Sequence, residues 1–150
     1  NENACTPEMF VRYAQIAALM PVMQFSASPW RVLPEADFQK VKDALALREK
    51  CLPEILKAVE CAKVTGEPIV RSMEFVFPGQ GMERVMDQFM VGEDLLVAPV
   101  WKQGEVARSV RLPEGQWRCV GLGETEGDVL NGGRDVILGE NEGLVVLKRV

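Results

Sequence analysis

Along residues 7–20 apolar side chains lie almost all round a helical wheel, interrupted only by a polar stripe at Glu8, Arg12 and Gln15. This pattern predicts a helix buried on most of its sides. Thr6 is a suitable N-cap, Pro7 takes the favoured first helical position, and Glu8 complements the positive end of the helix dipole. Pro21 stops the helix, and Val22-Met23-Gln24-Phe25 follows as a short apolar run, expected to be a buried strand. Residues 26–34 hold two prolines and two serines and read as a loop. A second helix begins near Pro34-Glu35. Phe38, Val41, Leu45, Leu52, Ile55 and Val59 recur in it at three- and four-residue steps, predicting one core-facing stripe. Pro53 removes the bond to the carbonyl of Glu49 and is expected to kink this helix without ending it, because the stripe stays in phase. Thr65-Gly66 is the C-terminal stop.

After Gly66 the period shortens. Segments 73–77, 94–100, 106–112, 116–120, 134–138 and 144–149 read as short strands, most of them separated by Pro-Gly, Glu-Gly or Asn-Gly-Gly turns. Strands so spaced, without helices between them, predict an antiparallel sandwich. The preceding order of helix, strand, loop and helix is that of the last repeat and a half of an α/β barrel. The fold class is thus α+β: the last helix–strand–helix of a (β/α)8 barrel over residues 1–68, then an antiparallel β-sandwich over 69–150.

Composition narrows the chemistry. A net charge of −5 and a pI near 4.9 argue against nucleic acid or an anionic membrane as partner. The chain has no apolar run near the roughly 18 residues of a spanning helix. The opening NENACTPEMF has neither an initiator Met nor a signal-peptide layout and reads as an internal cut in a longer protein. With no histidine, the chain cannot by itself build a Ser-His or Cys-His nucleophile pair, an HExxH zinc site or an imidazole base. Cys5, Cys51, Cys61 and Cys119 fit no CxxC spacing. Cys51 and Cys61, ten residues apart on one helix, would stand about 15 Å apart, beyond disulfide reach. Buried thiols suit a reducing, cytoplasmic compartment.

Four fragments occur in a fixed order: MPVMQFSASPW (20–30), TGEPIVRSMEFVFP (65–78), DQFMVGEDLLVAPV (87–100) and VRLPEGQW (110–117). Together they resemble the C-terminal part of glycoside hydrolase family 31, retaining α-glycosidases built on a (β/α)8 barrel, with the QFSxxPW form marking one subgroup. The resemblance covers about residues 6–118. It implies a parent enzyme that hydrolyses terminal α-linked sugars with no metal or organic cofactor. The implied partners are an α-linked oligosaccharide or glycoside and the remainder of that enzyme. It also implies that both catalytic aspartates lie upstream of residue 1, so no catalytic residue is assigned here.

Substrate-binding candidates come from the predicted eighth strand end, where barrels carry their sites. Many members have Arg-Asn-His where this chain has Gln24-Phe25-Ser26, and their histidine binds sugar hydroxyls. Ser26 takes that position, and Gln24 also both donates and accepts. Trp30, after the rigid Pro29, either lies beside a sugar face or packs over the barrel end. Arg71 and Asp87 match family positions and read as hydrogen-bonding links between barrel and sandwich. The acidic pairs Glu93-Asp94 and Glu124/Glu126 read as surface charge. The run Gly121–Gly127 has the wrong glycine spacing for a dinucleotide fingerprint. Met73, Met82, Met86 and Met90 read as core filler. Two rival roles are a carbohydrate-binding module and a purely structural one. The former is disfavoured because Trp101 and Trp117 form no evident aromatic platform.

Overall fold

The computed structural model describes residues 5–121, 126–139 and 143–150. It opens with helix α1, Pro7–Ala18, whose first turn is closed as the sequence suggests. The Thr6 hydroxyl accepts a hydrogen bond from the Met9 amide at 3.2 Å. A short helix α2, Pro29–Val32, precedes the long helix α3, Glu35–Thr65. Gly66 ends α3 in the left-handed region at φ 76°, its amide bonded to the Ala62 carbonyl. Pro53 lies on the exposed side of α3, and the helix runs on past it.

The stripe of α3 that meets the core is Val41, Ala44, Leu47, Cys51, Ile55 and Ala58. Of the expected stripe only Val41 and Ile55 belong to it, whereas Leu45 and Leu52 are 36% and 38% exposed. The buried line lies roughly a quarter-turn from the leucine line. It is rich in small residues, so the helix backbone can approach the sheet closely. A Cβ on Gly92 would stand 3.2 Å from that of Ala58. The leucine line, extended by Leu56, faces outward.

Among the described residues the strands are β1 Val70–Ser72, β2 Phe89–Val91, β3 Leu95–Pro99, β4 Arg108–Leu112, β5 Gln116–Cys119, β6 Val129–Asn131, β7 Arg134–Leu138 and β8 Leu144–Arg149. They form an antiparallel sheet in the order β1-β2-β3-β8-β5-β6 and a separate β4-β7 pair. At its centre, in β3 and residues 144–147 of β8, the larger sheet is buried on both faces. Leu96, Ala98, Leu147 and Trp117 face the β4-β7 pair with Val110, Leu112 and Leu138. Leu95, Val97, Leu144 and Val146 face α3. Each such aliphatic side chain contributes about 1.5–3 kcal/mol on full burial. Trp117 anchors the first core: it is fully buried, its indole donates to the Pro113 carbonyl at 2.9 Å, and Phe77 meets it edge-on.

Several expectations are corrected. Residues 73–77 are not a strand, because the Ser72 hydroxyl accepts from the Phe75 amide and starts a short helix α4, Met73–Val76. Strands β1, β2 and β6, of three residues each, are too short to display an alternation. Residues 22–25 pair with nothing and are not buried, since a parallel strand needs neighbours on either side. Helix α1 is buried on one side only, with Met9 53% and Tyr13 72% exposed. Its buried side is Val11, Ala14, Gln15 and Ala18, and the polar stripe flanks that side instead of facing open solvent. Glu8 accepts from the Gly104 amide at 2.8 Å, and Arg12 donates to the Glu105 carbonyl at 2.7 Å. Gln15 lies so close to Gly143 that a Cβ there would clash with it and with Arg12. Met73, Met82 and Met90 are core residues as expected, but Met86 is exposed.

No disulfide joins the four cysteines. Burial pushes the Cys51 thiol up to about 11 from 9.0; Glu54 adds to the rise, and Lys50 and Lys148 oppose it. The folded state therefore holds this proton more tightly than the unfolded chain. The contribution is intact below pH 9.0 and is lost as pH rises toward about 11. Thermal unfolding across that window should fall more steeply for the native sequence than for Cys51→Ala. Equal slopes would contradict the assignment.

Candidate functional site

The stretch between α1 and α3 carries all the sequence-predicted sugar contacts. It is anchored at its start by Arg48 of α3, which donates to the carbonyls of Ala18 at 2.7 Å, Met20 at 2.6 Å and Pro21 at 3.1 Å. These are carbonyls that the end of α1 leaves without helical partners. Further on, Phe25 stacks on Phe10 with ring centroids 6.1 Å apart and planes 3° from parallel. Pro29 is buried at the first turn of α2, and Leu33 packs with Val11, Ala14 and Val41. The stretch is thus held at its beginning, middle and end.

Between those holds, Gln24 and Ser26 are exposed, and the Trp30 indole is 67% exposed on α2. None of the side-chain hydrogen bonds of the described residues involves Gln24 or Ser26. The three candidates share one exposed segment, with hydroxyl, amide and indole turned away from the core.

The other singled-out residues have structural work. Arg71, 4% exposed, donates to the Pro68 carbonyl at 2.8 Å and pairs with Glu67 at 3.0 Å and Glu93 at 3.6 Å. Its guanidinium also approaches Cys61 near the end of α3, so it links helix to sheet as expected. Asp87 acts differently: it pairs with buried Arg108 at 2.6 Å, which also donates to the carbonyls of Asp87 and Pro99. That link lies wholly within the β-rich part. Glu93 and Asp94 serve separate cations, Arg71 and Lys57, so they are no catalytic pair. Glu126 pairs with Lys50, and Glu124 lies outside the described residues, as does most of the Gly121–Gly127 run.

A cavity of about 510 Å³ opens between α1, α3 and the segment around Val106 and Gly143. Its lining mixes Glu8, Asp37 and Asp43 with Arg12 and Lys40, and includes none of Gln24, Ser26 or Trp30. Among the described residues no three His, Cys, Asp or Glu are grouped to hold a metal, and no helix is long and apolar enough to cross a membrane. Trp117 is fully buried and Trp101 stands alone beside Lys102, so these two indoles form no sugar-binding platform. Sequence reasoning missed Arg48. A lone arginine on a helix face carries no signal until the carbonyls it meets are known.

Residues 66–136 match the family model described as the glycosyl hydrolase family 31 C-terminal domain. Myogenesis-regulating glycosidase of Mus musculus is 39% identical over 112 residues, 74% of this chain and 16% of that protein. The QFSxxPW form is the one read above as marking this protein's subgroup. An alpha-glucosidase of Saccharolobus solfataricus is 30% identical over 132 residues, 83% of this chain and 18% of that protein. A solved GH31 alpha-xylosidase from a soil metagenome, complexed with xylose, superposes with a TM-score of 0.82 at 28% identity. That match covers 98% of this chain and 25% of the xylosidase. The chain thus spans a quarter or less of the length of each of these relatives.

Proposed function

This chain belongs to glycosyl hydrolase family 31, whose C-terminal domain it carries over residues 66–136, and from that premise we propose that it is the C-terminal part of a retaining α-glycosidase. Residues 1–68 supply the closing helix–strand–helix of the (β/α)8 barrel, and residues 69–150 the sandwich that braces it. The substrate is a terminal α-linked sugar, cleaved through a covalent glycosyl–aspartate intermediate. Retention needs two carboxyl groups about 5–5.5 Å apart across the scissile bond. Both would come from barrel strands upstream of this chain. Gln24, Ser26 and Trp30 form one wall of the sugar pocket, and the rest of the enzyme is the chain's partner.

The observation that carries this reading is the match over nearly the whole chain to a family 31 xylosidase solved with its sugar. The outward surfaces of the helices support it as well. Leu56 is 52% exposed in line with Leu45 and Leu52, and Met9 and Tyr13 crown the outer side of α1. Apolar rows of this kind on two adjacent helices suit burial against further elements. The barrel's remaining repeats are their natural cover. With that cover, residues 22–25 gain the neighbours that a parallel strand requires.

In this arrangement the Ser26 hydroxyl meets a substrate hydroxyl, donating or accepting as the sugar demands. Gln24 offers an amide beside it, and the Trp30 indole gives an apolar face to the sugar ring. These groups position and select the sugar, while the carboxylates carry the bond-making steps. Loss of a contact that tightens in the transition state lowers kcat/KM.

Two outcomes check the proposal. The 150-residue chain alone should show no turnover of aryl α-glycosides. Activity of the pure chain that an internal point mutation abolishes would sink the reading. In the full-length enzyme, Ser26→Ala should lower kcat/KM by about 10- to 100-fold, roughly 1.4–2.7 kcal/mol. An unchanged kcat/KM on the best substrate, whatever the Tm, removes Ser26 from the pocket wall.

A further inference from the structure

We infer that Arg48 is a positioning residue for the sugar-binding segment, fixing the height and direction from which residues 22–30 leave helix α1. The inference rests on the proposed pocket wall and adds to it a residue that touches no substrate.

Arg48 stands on α3, yet its two terminal nitrogens reach back to three carbonyls at the end of α1: Ala18, Met20 and Pro21. These flank the point where the helix stops. Leu19 and Met20 make only tightened bonds to Ile16 and Ala17, at 3.2 and 3.0 Å. Pro21 lacks an amide hydrogen and breaks the helical ladder. Nothing within the chain's own local backbone therefore dictates how residue 22 departs. The guanidinium fork does so by gathering three carbonyl oxygens on its two terminal nitrogens, where the negative end of the helix dipole favours a cation. Gln24 follows the last anchored carbonyl by three residues and Ser26 by five. Any swing of the Pro21 carbonyl is carried directly to them.

Position 48 also explains itself by what flanks it. Leu47 and Cys51 are in the core against the sheet, while Arg48 is half-buried between that core and the outward leucine line. A guanidinium there costs desolvation that three bonds to carbonyls, two of them short, offset. A lysine would bring one charged point in place of a planar fork and could not hold all three oxygens in the same geometry. The stem of a methionine would fill the space and hold none of them.

The test uses the full-length enzyme with Arg48→Met, Arg48→Lys, Ser26→Ala and the Arg48→Met/Ser26→Ala double variant. Amide hydrogen exchange across residues 19–28 should be about tenfold faster in Arg48→Met, with β3 and β8 unchanged. Arg48→Lys should restore part of the protection. Arg48→Met should also cut kcat/KM by about tenfold, and the loss should be coupled to Ser26, with the double variant less impaired than the product of the singles. Unchanged exchange in 19–28 overturns the positioning role outright. Faster exchange with fully independent kinetic losses, or with a lowered Tm alone, also overturns it. If exchange rises while Ser26→Ala has no kinetic effect, the pocket-wall reading has failed and takes the catalytic side of this inference with it; Arg48's hold on the segment is then structural only.

Discussion

The close seat of helix α3 on the six-stranded sheet is the constraint from which the rest of this structure follows. Ala44, Cys51 and Ala58 present little bulk, so the helix backbone comes close to β2, with Gly92 admitting Ala58 there, and the α3 side chains share one core with those of β3 and β8. Because the sheet is covered there by a helix and on its other face by the β4-β7 pair, its central strands must be apolar in both directions. The same seating turns the larger leucines of α3 outward and brings Arg48 to the end of α1. One choice of helix face thus sets the core, the outer surface and the anchor of the candidate site together.

Much of this was legible in the residues, and the limits have physical causes. Thr6-Pro7 and Gly66 mark helix ends because capping is local chemistry, visible within a few residues. Strands β7 and β8 stand where the sequence pattern puts them, bounded by turns that only glycine-rich chemistry makes. The orientation of α3 was hidden because two apolar lines compete along it, and the one with larger side chains is not the one that packs. Helix α1 misled for the opposite reason. Glu8, Arg12 and Gln15 look like a solvent stripe, yet Glu8 and Arg12 bond the backbone at Gly104 and Glu105, and Gln15 is buried beside Gly143. Periodicity locates a stripe; it does not say what the stripe meets.

The candidate site divides in the same way. Motif likeness singled out Gln24, Ser26 and Trp30, and the fold places all three on one exposed segment. The expected strand through Gln24 is missing because pairing is a property of neighbours, and this chain brings none for residues 22–25. What holds the segment in their absence is one guanidinium, one aromatic stack, one buried proline and the packing of Met23. The stack and the buried proline use Phe25 and Pro29 of the QFSxxPW fragment itself, whereas Arg48 comes from α3 and no motif announces it. Asp87 shows the converse: a motif position whose task is to satisfy a buried arginine inside the β-rich part.

Strand β3 is apolar at every position, and so are residues 144–147 of β8 opposite Leu96 to Pro99; only Leu95 faces a polar residue, Lys148. A slip of β3 by one residue would exchange Leu95 and Val97 for Leu96 and Ala98, one apolar set for another. Burial, which ordinarily fixes the alignment of a strand, is nearly silent here. The choice falls instead to polar contacts at the ends: the Arg149 amide on the Asp94 carbonyl, the Val100 amide on that of Gly143, and Arg108 on that of Pro99. These groups come from segments far apart along the chain. Correct alignment of this apolar pair therefore rests on its polar neighbours, and weakening those end contacts is the way to loosen the strand register without touching the core.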